Sequence, residues 1–116
     1  MVRWQRVTLV PLDVEGDAAE ARQIILDLAV DDETNISTGP YPAFGRVGDF
    51  HRPDTLYPFT LMGDGRMDFG AYASDAQRQA RLQIRAARLV QDETIACDDA
   101  GVTTQYRISA ITALIP

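Results

Sequence analysis

The feature that most constrains this chain is a period-two alternation near its C-terminal end. Over residues 102–114, Tyr106, Ile108, Ala110 and Thr112 fall on one face, and Gln105, Arg107, Ser109 and Ile111 on the other. That spacing belongs to a half-buried β-strand. A second β-rich run, residues 93–97, precedes it across Asp98-Asp99-Ala100-Gly101, a sequence suited to a turn. The two runs predict an antiparallel hairpin with Cys97 on its core face. Such a hairpin must pack against further strands or a helix to bury that face.

The remaining elements follow from the same reasoning. Arg6-Val7-Thr8-Leu9-Val10 is β-branched and stops at Pro11, which predicts an opening strand. Asp17 followed by Glu20 resembles a capping box, and Ala18, Ala21, Ile24, Ile25 and Leu28 lie on one stripe at a 3.6-residue period. An amphipathic helix is expected there, ending at the acidic corner Asp31-Asp32-Glu33, a solvated turn or a cation or partner contact. Residues 34–58 carry three Gly, four Pro and four aromatics with no periodicity, which predicts a long loop ordered against a neighbour. Residues 55–62 and 66–72 flank Gly63-Asp64-Gly65 as a hairpin, with Pro58 placing the first strand at an edge or demoting it. In residues 74–90, Ala80, Leu82, Ile84 and Ala86 alternate with Arg81, Gln83 and Arg85; one helical turn after Ser74 and then a strand through Ala86 is expected. The fold class is mainly β (α+β): one domain, 1–116, a small antiparallel sheet or barrel with one amphipathic helix and a long loop.

Composition narrows the function classes. The chain has 116 residues, thirteen Asp, four Glu, eleven Arg and no Lys, for a net charge of −6. A domain this acidic, with no basic cluster, lacks the electrostatic footprint that supplies most nucleic-acid affinity. No direct sequence-specific nucleic-acid partner is expected. No run approaches the roughly 18 apolar residues of a membrane helix, so no membrane partner and no targeting segment are expected. A single cysteine, Cys97, excludes an internal disulfide and a cysteine metal cluster.

The chemistry-bearing residues form no recognisable catalytic motif. His51 stands beside Asp49 and Asp54 without a local nucleophile. Asp68-Phe69-Gly70 matches a kinase metal motif by letters alone, since the chain has no Lys to orient ATP phosphates. Asp64 and Asp68 fit only part of a calcium loop and lack its closing Glu. The reading is therefore non-enzymatic, with no catalytic residue, metal, cofactor or small-molecule substrate. The candidates for partner contact are the aromatics Phe44, Phe50 and Tyr57 with His51, and the run Arg78, Arg81, Arg85 and Arg88, whose planar guanidinium forks suit an ion-pair interface.

The stretch 80–114 resembles the C-terminal half of the small head-completion (stopper) and head–tail connector proteins of long-tailed bacteriophages. Three segments carry the likeness: Arg81-Leu82-Gln83-Ile84-Arg85, Leu89-Val90-Gln91-Asp92-Glu93-Thr94-Ile95, and the aromatic-led Tyr106-Arg107-Ile108-Ser109-Ala110-Ile111. Arg6-Val7-Thr8-Leu9 is similar to the first strand of those proteins. This chain has Asp92 where they often have a glycine, and residues 34–73 have no counterpart. The resemblance implies a small β-barrel with a helix and a long loop. It also implies a ring-forming subunit in the neck of a virion, assembled in the host cytoplasm, whose partners are copies of itself and other virion proteins. A capsid-decorating protein, or an acidic inhibitor or immunity-type protein that binds a basic partner, are the alternatives.

Overall fold

The structure is a computed structural model that describes residues 2–38, 43–70 and 80–114, with only the backbone of Asp17 and Glu20. Its strands are β1 (Val2–Pro11), β2 (Gln23–Asp31), β3 (Ala43–Gly48), β4 (Tyr57–Leu61), β5 (Arg66–Asp68), β6 (Ala80–Leu82), β7 (Thr94–Asp99) and β8 (Val102–Ala113). Among the described residues, one helical turn, α1 (Asp17–Glu20), and a 3-10 turn, Pro53–Thr55, complete the set. Each strand is antiparallel to the next in sequence, and β8 closes onto β1, giving a closed barrel in the order β1 to β8. Closure leaves no free sheet edge along the paired stretches.

The expected amphipathic helix is instead mostly strand β2. Only the turn Asp17–Glu20 is helical, and Gln23–Asp31 pairs with β1 through Leu9↔Ile24, Val7↔Leu26 and five other residue pairs flanked by Val2↔Asp31. Ile24, Leu26, Leu28 and Val30 are buried, while Gln23, Ile25 and Asp27 are only partly covered. Ile24 and Leu28 satisfy both periods, and β-branched Ile24, Ile25 and Val30 favour the extended form.

Within the expected long loop, residues 43–48 form β3, which pairs with β2 and β4. Asp49 organises the turn that follows, its carboxylate accepting from the His51 amide at 2.9 Å. Pro58 lies in a part of β4 bonded to β3 opposite Arg46, whereas β5 pairs only with Thr60 and Leu61, so the proline sits where one flank has no ladder. The strand expected through Ala86 ends at Leu82. Ala80, Leu82 and Ile84 are nevertheless buried, while Ala86 is exposed in the turn beyond. The helical turn expected after Ser74, and Arg78, lie outside the described residues.

The terminal hairpin forms as expected, with a tighter turn. Asp98 and Asp99 stay in β7, and Ala100 and Gly101 make the connection with φ of 53° and 85°, the positive pair that a two-residue type I′ turn requires. The alternation of β8 switches midway. Thr8 pairs with Ala110 and Leu9 with Ile108, so Ser109 is the extra residue of a β-bulge. Tyr106 and Ile108 are buried before it, while beyond it Ile111 packs on the core and Ala110 and Thr112 are exposed.

Interior side chains stack in rows around the barrel. One row runs Val7, Leu26, Gly45, Phe59 and another Leu9, Ile24, Val47, Tyr57, as the strand registers dictate. The end where β4 stops is closed by residues 83–90: Ile84 and Leu89 are buried, and the Leu89 amide donates to the Asn35 carbonyl at 2.7 Å. The acidic corner is a structured turn at this same end. The Asp31 carboxylate accepts from the amides of Glu33 and Thr34, which holds its pKa below the usual carboxylate value, and Arg3 bonds Asp32 and Asn35.

Candidate functional site

Two concavities lie at different places on the barrel, one outside its wall and one in its mouth. The outer one follows from strand alternation. On β3, Ala43, Gly45 and Val47 face inward, so Phe44 and Arg46 face out. Phe44, opposite Thr60 of β4, is 52% exposed. With Ile25, Pro58 and Phe69 it lines a groove of about 460 Å³, edged by Arg6, Asp27, Arg46 and Asp68. Arg6 and Asp27 stand opposite each other on β1 and β2 and form a two-pronged ion pair at 2.8 and 3.0 Å. That pairing raises the Arg6 pKa through the hydrogen bond and the charge of Asp27. The Arg46 guanidinium lies 5.8 Å from the Phe50 ring centroid, a cation–π contact. The groove therefore combines an uncovered aromatic with fixed charges of both signs.

Phe44 and Phe50 are thus brought to one side by β3 and the turn after it, with exposed His51 next in sequence. Tyr57, also 52% exposed, is not part of that patch: it lies in the inward row of β4 and lines the barrel mouth. Arg81, Arg85 and Arg88 do not form a common surface. Arg81 reaches the Asp64 carbonyl at 3.5 Å and its carboxylate at 3.9 Å. Arg85 turns under the barrel, donating from Nη2 to the Leu61 carbonyl at 2.9 Å and from Nε to that of Met62 at 3.1 Å. Burial lowers its pKa from the usual guanidinium value. Arg88 is exposed, beside a backbone bridge to Ile36. Arg81 and Arg85 therefore brace the β4–β5 turn from two sides.

The mouth was not legible in the sequence, because its walls come from five separated segments. Ala21 and Arg22 lead into β2, Val47 and Gly48 end β3, Thr55 precedes β4 and Tyr57 begins it, Met67 lies on β5, and Cys97, Asp99, Thr104 and Tyr106 come from the terminal hairpin. Tyr106 is buried, which raises its phenol pKa, while a hydrogen bond with Arg22 acts in the opposite direction. Cys97 is 7% exposed, with its sulfur 4.0 Å from that of Met67. No group of three or more metal-binding side chains occurs among the described residues. No described helix is long and apolar enough to cross a membrane. No family model, curated protein or solved structure matches the chain.

The Cys97 placement makes a direct prediction. A bulky aromatic disulfide reagent should label the native thiol more than about tenfold more slowly than the urea-unfolded chain, because the sulfur is reached only through the mouth. Equal rates in the two states would put Cys97 on the surface.

Proposed function

We propose that this chain is a structural subunit of a bacteriophage virion, a head–tail connector of the neck that assembles with copies of itself as a ring. Decoration of the capsid surface is the neighbouring role. The observation that carries the reading is the outer groove. Phe44 stands half uncovered on the barrel wall, flanked by Pro58, Phe69 and the charges of Arg46 and Asp68. An exposed aromatic in a shaped depression with a charged rim is the usual composition of a binding hot spot. The resemblance of residues 80–114 to connector proteins supports the virion assignment, and a small β-barrel is the architecture that resemblance implies.

A ring needs a heterologous interface, one face of each copy fitting a different face of the next. Phe44 is the anchor expected on one such face. Phe44→Ala should weaken assembly by about 2 kcal/mol, roughly a 30-fold change in dissociation constant, with little change in the melting temperature of the free chain. Sedimentation velocity over a concentration series, with electron microscopy of particles containing the protein, tests this. A chain that stays monomeric and binds a basic protein one to one would overturn the reading in favour of an acidic inhibitor.

A further inference from the structure

The mouth of the barrel holds a cavity of about 390 Å³ that the assembly reading does not use. Its presence follows from side-chain size. Deeper in, Leu9, Leu26, Leu61, Leu82, Ile95 and Ile108 are fully buried and fill the ring. Toward the mouth, several inward positions carry smaller groups: Cys97 sits opposite Thr104, and β3 ends in Val47 and Gly48. An eight-stranded ring is just wide enough for large side chains to fill, so smaller ones leave room for a ligand.

The wall of this cavity is held by a close backbone approach. Gly48 has φ of +140°, and a Cβ there would lie 2.5 Å from the Thr55 carbonyl oxygen. Only glycine lets residues 49–56 fold this close over the end of β3. Thr55 and Tyr57 then form one side of the mouth.

Its lining restricts what it can hold. The volume is near the lower end of the roughly 300–1,000 Å³ of ligand sites, which suits a compact molecule. Ile24, Val47, Met67 and Cys97 give an apolar floor with two polarizable sulfurs, a surface favourable to aromatic rings. Among the described residues the lining holds one cation, Arg22, and one anion, Asp99. Asp13 lies 3.4 Å from Arg22. A carboxylate in the cavity would meet Asp99 as well as Arg22, and an ammonium would meet Arg22 as well as Asp99, so neither sign of charge finds an unopposed partner there to offset its lost hydration. Thr104 and the Tyr106 hydroxyl offer neutral hydrogen-bonding groups beside the floor.

We propose that the barrel mouth is a binding site for a compact, uncharged aromatic molecule carrying a hydrogen-bonding group. The ring lies on Met67 and Cys97, and the polar group faces Thr104 and Tyr106.

Titration of the full chain with 1-aminoanthracene, a neutral fluorescent aromatic amine, tests the site. The expected result is a saturable fluorescence increase at one probe per chain, with a dissociation constant on the order of 10 μM. Ala21 is exposed at the rim, so Ala21→Trp should occlude the entrance and weaken binding at least about tenfold without disturbing the fold. Thr104→Leu, which fills the cavity from β8, is the second variant and should act in the same direction. The anionic probe 8-anilinonaphthalene-1-sulfonate should bind at least about tenfold more weakly than the neutral amine. A non-saturable signal, an unchanged affinity in both folded variants, or equal affinity for the sulfonate would each overturn the proposal.

Discussion

Gly45→Ala is expected to destabilise the barrel by about 3 kcal/mol, at the upper end of the cost of overpacking a core. Gly45 stands in the inward row between Leu26 of β2 and Phe59 of β4. A Cβ there would lie 2.6 Å from Phe59 Cζ, 2.8 Å from Leu26 Cβ and 2.9 Å from the Ile25 carbonyl oxygen. The ring of Phe59 could swing only by disturbing Phe69, whose ring centroid is 5.8 Å away. The other two atoms are backbone or fixed to it and cannot yield without moving β2. For a chain of 116 residues, a loss of this size lowers the melting temperature by on the order of 10 °C. Gly63→Ala is the control: its added methyl meets nothing within 4 Å, and stability should change by less than about 0.5 kcal/mol. Calorimetry of the two variants decides the matter, and equal melting temperatures would mean that Gly45 does not face the core.

That same glycine explains why β3 was not legible. A barrel strand announces itself by apolar residues at every second position, yet in Ala43-Phe44-Gly45-Arg46-Val47-Gly48 the inward places are taken by Ala, Gly and Val. The largest apolar side chain, Phe44, faces outward. Phe59 supplies from β4 the volume that β3 lacks, so the pattern exists in three dimensions and not along the strand. The β2 misreading has a different cause. Ile24, Ile25 and Leu28 match a helical stripe, but Leu26, which that stripe leaves out, is fully buried. Adding Leu26 and Val30 to Ile24 and Leu28 turns the stripe into strict alternation. The C-terminal hairpin was legible because its turn and alternation are both local, up to Ser109. There the bulge depends on pairing with β1, a hundred residues earlier in the chain, and no local pattern encodes it. The functional surfaces behave likewise: Phe44 and Phe50 are neighbours through β3, whereas the mouth joins residues whose proximity exists only once the barrel has closed.

Arg85 carries the second large effect, and it separates a bracing role from a binding one. In the sequence it belongs with Arg78, Arg81 and Arg88 as a contact for a partner. In the fold its guanidinium forks onto the carbonyls of Leu61, the last residue of β4, and Met62, the first of the turn into β5. Leu61 is fully buried, so its carbonyl oxygen has poor access to water, while that of Met62 also accepts from the Gly65 amide at 3.0 Å; a charged donor to a buried oxygen contributes more than a neutral one. Arg85→Ala should therefore cost about 2–4 kcal/mol of folding stability. Arg85→Lys, with a single ammonium that cannot reproduce the planar fork, should recover less than about half of that. Arg81→Ala is the contrast. Its side chain is 50% exposed and 3.9 Å from the Asp64 carboxylate, so it should cost under about 0.5 kcal/mol, less still at high salt. Urea unfolding of the three variants at low and high salt reads the difference. A fall in midpoint with unchanged slope for Arg85→Ala at both salt concentrations marks a brace of the β4–β5 turn. An Arg85→Ala chain that unfolds like the parent yet no longer assembles would mark a partner contact instead.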